Sequence, residues 1–327
     1  MNNKVFNVGI LGAGWIADKM AITLAGMSTA KAYAVASRYK EKAEKFASQY
    51  SIPKAFGNYE EMVDDKDVDL VYIATPHSHH YEHVKMCLQK GKAVLCEKAF
   101  TVNASQCEEL ISIAQKNKVF LAEAIWTRYQ PMRKMIADEI ASGIIGKPQM
   151  ISANLCYPNI NKERMYKPEL AGGALLDLGV YVLNFADMFF GSDIKRMTSH
   201  CIKYHTGVDA QESITIEYTD GRMAVLWSSL LVKSDREGII SGSDGYIIVE
   251  NVNNPQSYRV FTQDYQLVKT VKCPTQITGY EYQVDCCIKA IFEGKIEPDE
   301  MPHADTLRIM RQMDSLRKEW GVILCDE

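Results

Sequence analysis

The sequence predicts two domains of different class, an α/β domain with a doubly wound parallel sheet and then an α+β domain with an open, mostly antiparallel sheet. Three observations support this prediction. The chain has 327 residues, more than a single hydrophobic core usually serves. Its first part alternates short apolar segments with amphipathic helices, whereas its later part contains consecutive strands separated by tight turns. We place the boundary between residues 1–125 and residues 126–327.

The first domain is predicted from a repeating strand and helix pattern. The predicted strands with β-branched or small apolar residues are Val5–Leu11, Ala32–Ala36, Asp69–Ala74, Ala93–Cys96 and Val119–Glu123. The predicted helices begin near Trp15, cover Lys40–Tyr50, follow His80 and cover Ser105–Lys116. This pattern is typical of βαβ units and fits a doubly wound sheet of parallel strands.

The second domain is predicted from strands that follow one another directly. The predicted strands are Met150–Cys156, Arg196–Tyr204, Ser213–Tyr218, Arg222–Leu231, Gly238–Ser241, Tyr246–Glu250, Tyr258–Phe261 and Leu267–Val271. Turn signals such as Thr219–Gly221 and Ser243–Gly245 separate them and favour antiparallel pairing. Two helices, Gly279–Glu293 and Asp305–Trp320, are predicted at the end of the chain.

Composition narrows the class of protein. The chain is 47% hydrophobic and carries a net charge of −4 without a Lys/Arg stripe, which argues against a nucleic-acid partner and a membrane surface. The first residues lack the pattern of a signal peptide, and we expect no stretch of transmembrane length. The nine cysteines have no disulfide or zinc spacing, which favours the reducing cytoplasm.

A glycine-rich turn predicts a dinucleotide site. Gly12 and Gly14 directly follow a strand and open a helix, where Trp15 and Ile16 occupy the first turn and Ala17 is small enough for close packing. In this context Gly12 permits the turn, Gly14 lets the backbone approach a pyrophosphate, and the helix start offers N–H groups to the anion. A glycine turn without a ligand is the alternative.

The end of the second predicted strand favours NADP. An NAD site usually carries Asp or Glu here, whereas this chain has Ser37 and Arg38. The hydroxyl group can donate to a 2′-phosphate, and the guanidinium can pair with it. NAD is kept as a possible cofactor, since Arg38 can also be an ordinary solvated charge.

The segment of residues 74–83 holds four of the seven histidines of the chain. Because it follows a parallel strand, we expect Thr75, Pro76, His77 and His80 to contact the nicotinamide ribose. A metal site is the weaker interpretation, because no Cys or carboxylate stands at a known ligand spacing. We therefore predict no metal.

Two further segments carry catalytic candidates. Glu97 and Lys98 follow a strand and so reach the edge where the nicotinamide is expected, and the ammonium can stabilise charge on a substrate oxygen. Asp177 and Tyr181 stand four residues apart on a predicted helix, hence on one face of it. The phenol can exchange a proton with a substrate hydroxyl; a buried tyrosine with a structural role is the alternative.

These motifs together resemble the Gfo/Idh/MocA oxidoreductase family. Four segments stand in the family's order, namely Gly12–Ala17, Ala74–His80, Glu97–Lys98 and Gly172–Tyr181. Within the family the chain is most similar to the dimeric dihydrodiol dehydrogenases and NADP-linked D-xylose dehydrogenases. The resemblance implies a Rossmann domain, hydride transfer at a carbon of a sugar, polyol or trans-diol, and a homodimer formed through the sheet of the second domain.

The resemblance also implies roles for residues. Tyr181 would be the general acid/base, Lys98 its electrostatic partner and Asp177 the substrate-orienting carboxylate. Ala99 departs from the family by replacing a proline whose peptide geometry is often restrained, so this loop is expected to differ.

The segment after the last Rossmann strand supplies further candidates. Trp126 and Arg128 are expected to line the cofactor and substrate site, with packing as the alternative. Arg164 and Tyr166 are less certain candidates for the same site.

Two other functions stay open at this point. One is a dinucleotide-binding sensor or regulatory protein that has the fold but no turnover. The other is an enzyme that keeps its cofactor tightly bound and recycles it within one catalytic cycle.

Overall fold

A computed structural model describes residues 4–324. Their contacts form two compact units. The first contains the described residues up to Tyr129 together with Gln276–Arg311, and the second contains Gln130–Thr275 and the described residues from Gln312 onward. The chain thus returns to its first unit after building most of its second. The predicted domain boundary between residues 125 and 126 stays a prediction.

The first unit contains a parallel six-stranded sheet, which confirms the predicted fold class. Its strands are Phe6–Leu11 (β1), Ala30–Ala36 (β2), Lys54–Phe56 (β3), Leu70–Ile73 (β4), Ala93–Glu97 (β5) and Leu121–Ala124 (β6). They lie in the order β3-β2-β1-β4-β5-β6. The order reverses at β1, so the loops after β1 and β4 flank the crevice where doubly wound sheets bind ligands.

Helices cover the apolar strands of this sheet. They are Trp15–Ala25 (α1), Lys40–Tyr50 (α2), Tyr59–Asp64 (α3), His80–Gln89 (α4) and Ala104–Asn117 (α5). β4 is buried along its whole length, as expected of a parallel strand with both faces covered. The core of the unit includes Ile10, Leu70 and Leu95 from the sheet and Val284 from a later segment.

The second unit contains an eight-stranded sheet, mostly antiparallel as predicted. Its strands are Pro148–Cys156 (β7), Ile194–Lys203 (β8), Asp209–Tyr218 (β9), Met223–Ser229 (β10), Gly238–Gly242 (β11), Gly245–Val249 (β12), Ser257–Thr262 (β13) and Leu267–Lys272 (β14). Their order is β14-β13-β12-β11-β7-β10-β9-β8. The pair of β7 and β10 is parallel, and the other neighbours are antiparallel.

The remaining helices are short or amphipathic, apart from one that is apolar. They are Pro131–Ala141 (α6), Glu163–Tyr166 (α7), Val180–Phe190 (α8), Glu281–Phe292 (α9) and His303–Trp320 (α10). α8 packs against β7 and β10, and most of its side chains are buried. α8 therefore covers one face of this sheet.

The expectation that no stretch has transmembrane length is wrong for one segment, by length and composition alone. The segment Pro168–Phe190 has 23 residues and a mean hydropathy of 1.4, so by length and composition it could cross a membrane. In the structure 89% of that window is buried inside the protein. A core helix passes the same test of composition, because a fully buried helix has no polar face.

Candidate active site

The glycine turn between β1 and α1 is closed on one side and open on the other. Gly12 has a φ of 110°, and a Cβ atom added there would lie 2.9 Å from the carbonyl oxygen of Ala74, so only glycine fits. A Cβ atom added to Gly14, directly before α1, would meet no described atom within 4 Å. The N–H groups of the first helical turn therefore border open space, which fits the pyrophosphate of a dinucleotide.

The first turn of α1 presents the two neighbouring residues differently. The side chain of Trp15 is 66% exposed, whereas Ile16 is half-buried against the core of the unit. Ala17 is fully buried and lets the helix approach the sheet closely. The exposed indole beside the open side of the turn is available to a ligand, whereas Ala17 packs against the sheet.

The turn after β2 holds the candidates for reading the adenosine phosphate. Ser37 is buried, and its backbone N–H donates to the carbonyl of Phe56 at 3.1 Å. Arg38 is exposed beyond the end of the strand. Its backbone N–H donates a hydrogen bond to the hydroxyl oxygen of Tyr59, which fixes the turn. The guanidinium is thus carried on an anchored backbone and reaches solvent.

The histidines after β4 bind two loops together. His77 Nε2 lies 3.1 Å from the carbonyl oxygen of Lys98, and His80 Nδ1 lies 2.9 Å from that of Ala99. The other ring nitrogen of His80 lies 2.9 Å from the carbonyl oxygen of Thr75. Burial lowers the pKa of His80 to about 4, although the carbonyl groups favour the protonated ring. The neutral imidazole has one N–H group and donates it to one of these carbonyl groups, and the ring contacts both the Lys98 segment and the loop after β4.

Thr75 and His83 form a second contact within the loop after β4. Thr75 Oγ1 lies 3.1 Å from Nδ1 of His83, and the His83 ring packs edge-on against Tyr59 at 4.8 Å. Pro76 has an extended backbone and begins a short 3-10 turn, His77–His79. The loop after β4 is thus held between the turn of Arg38 and the segment of Lys98.

Lys98 follows β5 at the carboxyl edge of the sheet and is half-buried. The Lys98–Ala99 peptide bond is cis although residue 99 is not proline. Ala99 and Phe100 are buried. The backbone of this segment is therefore fixed by packing and by the two histidines, while the lysine side chain extends from it.

Two buried carboxyl groups lie beneath this segment. Glu97 accepts a hydrogen bond from the hydroxyl of Tyr72. Glu123, on the neighbouring strand β6, is buried, and burial raises the pKa of its carboxyl to about 7 against the opposing effects of Thr306 and Arg128. Glu123 received no role from the sequence. The sequence feature that could have identified Glu123 is a charged residue inside an otherwise apolar strand.

Trp126 and Arg128 occupy a 3-10 turn after β6 and are both buried. The Trp126 ring stacks on Tyr280 at 4.1 Å with an interplanar angle of 8°. Arg128 Nη1 donates to Asp305 Oδ2 at 2.9 Å. These contacts lie within the first unit and agree with the packing interpretation. Tyr280 and Asp305 were not identified from the sequence.

Asp177 stands in a helical turn of unusual period. Leu175–Gly179 is a π-helical turn that runs directly into α8, and Asp177 and Tyr181 are both buried. Hydrogen bonds in such a turn join residues five apart, so the expected α-helical spacing does not apply across it. Arg164 Nη1 lies 3.2 Å from Asp177 Oδ1 and pairs with its charge.

The site candidates divide between the two units. The cofactor candidates and Lys98 lie in the first unit, whereas Asp177, Tyr181 and Arg164 lie in the second. That these residues act on one substrate stays a prediction. Among residues 4–324, no group of three or more His, Cys, Asp or Glu side chains could hold a metal ion.

Family models match both parts of the chain. The model described as "Oxidoreductase family, NAD-binding Rossmann fold" matches residues 6–124, and the GFO/IDH/MocA C-terminal domain matches residues 129–248. Both matches agree with the family predicted from the four motifs.

Similar proteins with established names span nearly the same length. The trans-1,2-dihydrobenzene-1,2-diol dehydrogenase of Xenopus tropicalis is 34% identical, over 96% of this chain and 98% of that protein. The D-xylose 1-dehydrogenase (NADP(+)) of Hypocrea jecorina is 34% identical, over 82% and 77%. A scyllo-inositol 2-dehydrogenase (NADP(+)) of Bacillus subtilis is 30% identical, over 96% and 97%.

Solved structures share the fold. A 3-ketoreductase from Actinomadura kijaniata, in complex with NADP and TDP-benzene, has a TM-score of 0.87 and 24% identity, over 96% of this chain and 98% of that chain. An aldose-aldose oxidoreductase from Caulobacter crescentus has a TM-score of 0.87 and 22% identity, over 97% and 98%. At these identities the likeness establishes the fold alone.

Proposed function

The chain belongs to the Gfo/Idh/MocA family of oxidoreductases, and from this premise we propose that it transfers a hydride between NADP(H) and a hydroxyl or carbonyl carbon of a sugar, polyol or trans-diol. The names of the similar dehydrogenases support this substrate class. NADP is the cofactor named for two of them. Arg38, without an acidic residue at the end of β2, supports the same preference in this chain.

One observation carries the proposal. Contacts join the three loops that follow the neighbouring strands β1, β4 and β5. Gly12 lies against Ala74, and the ring of His80 lies 2.9 Å from the carbonyl oxygens of both Thr75 and Ala99. The opening at Gly14 and the Lys98 segment therefore belong to one rigid edge. A nicotinamide cofactor bound there would supply the hydride acceptor or donor, and Lys98 would stand beside its reactive end.

Side chains of this protein would transfer the proton that leaves the substrate hydroxyl. During oxidation the substrate hydroxyl would give its proton to the deprotonated oxygen of Tyr181 as its carbon becomes a carbonyl, and a bound nicotinamide would supply the hydride acceptor. The ammonium of Lys98 stabilises the phenolate that accepts this proton. Asp177, oriented by Arg164, accepts hydrogen bonds from neighbouring substrate hydroxyls. Reduction reverses each transfer.

A homodimer is part of the proposal. One face of the second unit's sheet packs against α8, and the opposite face carries apolar side chains that reach solvent. Met150 and Met223 are register partners on neighbouring strands and are 42% and 40% exposed, and Trp227 on the same face is 39% exposed. Exposed apolar side chains of this kind on a sheet face suit an isologous interface.

We place the protein in the cytoplasm. Cys87, Cys96, Cys156 and Cys287 are buried thiols outside any disulfide. Burial raises the pKa of the Cys87 thiol to about 12, so it stays protonated and unreactive. Such thiols suit a reducing compartment.

The test is turnover. Purified protein is assayed by nicotinamide absorbance with NADP⁺ or NADPH against aldoses, polyols, trans-diols and their carbonyl products. Lys98→Ala and Tyr181→Phe should each lower kcat by about 100-fold or more, as expected when an acid/base group is lost. Tyr204→Phe, in the same unit, is the matched control and should keep kcat.

Two results would contradict the proposal. Turnover that survives Tyr181→Phe unchanged would remove the proposed acid/base. NADPH binding without turnover on any compound would instead favour the regulatory alternative. Nucleotide that co-purifies with the protein and never exchanges would favour the enzyme with a recycled cofactor.

A further inference from the structure

Two buried carboxyl groups on β9 contact the turn that carries Asp177. Asp209 and Glu212 are 1% and 5% exposed, and neither was singled out by the sequence motifs. Asp209 lies at the start of the π-helical turn, and Glu212 lies at its end. Asp209 and Glu212 therefore contact this turn at its two ends.

Asp209 holds the amino end of the turn. Its Oδ2 accepts the backbone N–H of Leu175 at 2.5 Å, and the backbone N–H of Ala174 also donates to this carboxylate. A Cβ atom added to Gly173, where φ is 119°, would lie 2.3 Å from Oδ1 of Asp209. The glycine thus makes room for a carboxylate from a distant strand, which takes the place of an N-cap residue.

Glu212 lies against Gly179, midway between Asp177 and Tyr181. A Cβ atom added to Gly179 would lie 2.8 Å from Oε1 of Glu212, which also accepts a hydrogen bond from the Ser228 hydroxyl. Its Oε2 is buried without a hydrogen-bond partner among the described residues. Burial, and then the negative charge of Asp209, hold the pKa of Glu212 well above its usual range. Burial raises the pKa of Asp209 as well, although the backbone N–H groups of Leu175 and Ala174 and the charge of Arg317 lower it. A proton shared by this pair therefore lies preferentially on Glu212.

We propose that Asp209 and Glu212 are positioning residues for the reaction: Asp209 fixes where the π-helical turn begins, Glu212 fixes where it joins α8, and together they orient Asp177 and Tyr181. This inference rests on the proposed function, because it assigns the turn a catalytic task. A π-helical turn inside a helix is frequently a functional feature. It needs outside contacts to keep its shape, and two side chains of β9 supply them.

The experiment compares four variants in the full-length protein. Asp209→Asn removes the charge at the amino end, Glu212→Ala removes the carboxyl group, and Glu212→Gln replaces a neutral acid with a neutral amide of the same shape. Glu217→Gln is the matched control, because it lies on the same strand and pairs only with surface groups such as Lys195. The measurements are kcat, KM, the affinity for NADPH and the pH profile of kcat.

We expect kcat to fall about 10-fold to 100-fold in Asp209→Asn and Glu212→Ala, since small misplacements of catalytic groups have effects of this size. NADPH affinity should stay within about twofold, because the proposed cofactor site lies in the first unit. Glu212→Gln should keep kcat and remove no limb of the pH profile. Unchanged kcat in Asp209→Asn and Glu212→Ala, or an equal loss in Glu217→Gln, would overturn the inference.

A second measurement separates this inference from the proposed function. A wild-type protein without turnover overturns the proposed function. Hydrogen exchange then tests the positioning directly: Asp209→Asn should speed exchange of the amides of residues 174–181 at least about tenfold while those of the first unit stay protected. Equal exchange in wild type and variant would overturn the inference.

Discussion

His80 Nδ1 lies 2.9 Å from the carbonyl oxygen of Ala99, and this contact joins the loop after β4 to the segment that carries Lys98. Both partners are buried, so water cannot replace either one. The contact gives His80 a structural role at a position where the sequence predicts contact with the nicotinamide ribose. Its ring reaches two backbone carbonyls, and its effect on a bound nicotinamide would pass through the position of Lys98.

His80→Ala should lower kcat/KM by about 10-fold to 100-fold, since Lys98 loses its fixed position. It should also lower the free energy of unfolding by about 2 kcal/mol or more, because a buried carbonyl group loses its donor and a cavity remains. Kinetics and urea unfolding measure the two effects. His79→Ala is the control on the same loop, and a loss as large as that of His80→Ala would contradict the tether.

Arg38→Ala should weaken NADPH binding about 10-fold to 100-fold and leave NADH binding unchanged, because a charge-assisted pair with the 2′-phosphate is lost. Fluorescence titration of both nucleotides measures the difference. Lys42→Ala removes another exposed positive charge nearby and should change neither affinity. Equal losses for NADPH and NADH would show that Arg38 does not read the phosphate.

Glu123→Gln should change how stability depends on pH. The pKa of Glu123 is about 7 in the folded protein, against 4.5 for an ordinary Glu. Its contribution is therefore fully present below about pH 4.5 and is lost as pH rises through about 7, a change of up to about 3 kcal/mol. Because the amide stays neutral, Glu123→Gln should unfold at higher urea than wild type at pH 8. The difference in unfolding midpoint between Glu123→Gln and wild type should shrink toward pH 5. A difference that does not vary with pH would contradict the titration of Glu123.

Trp227→Arg should turn a dimer into a monomer, because a charge would be buried at the proposed interface. Light scattering after gel filtration measures the mass. Ile22→Arg introduces the same charge at an exposed apolar position of α1 and should leave the mass unchanged. A wild-type protein that is monomeric at all concentrations would rule out this use of the sheet face.

The sequence predicted the strands well, because their burial follows simple patterns. All eight strands of the second unit are predicted from the sequence, and some of them, such as β9 and β13, alternate buried and less buried residues. β3 and α3 were missed. β3 has three half-buried residues, and α3 has six, so neither offers enough positions to reveal a period.

The candidate site was predicted in part. Gly12, Lys98 and Tyr181 belong to local motifs that a sequence displays directly. The stacking of Trp126 on Tyr280 and the pairing of Arg128 with Asp305 join residues about 150 or more positions apart. No local period encodes such pairs, so only the fold reveals them. The π-helical turn was also missed, because nothing in its composition distinguishes it from an α-helix.

The return of Gln276–Arg311 to the first unit has a consequence for biosynthesis. When the ribosome has made all six strands of the parallel sheet, Trp126 and Arg128 still lack the aromatic ring and the carboxylate that will cover them. Those partners emerge only after the whole second sheet has been synthesised. The first unit can therefore begin to fold before the second sheet exists, yet it is completed only after that sheet has been synthesised.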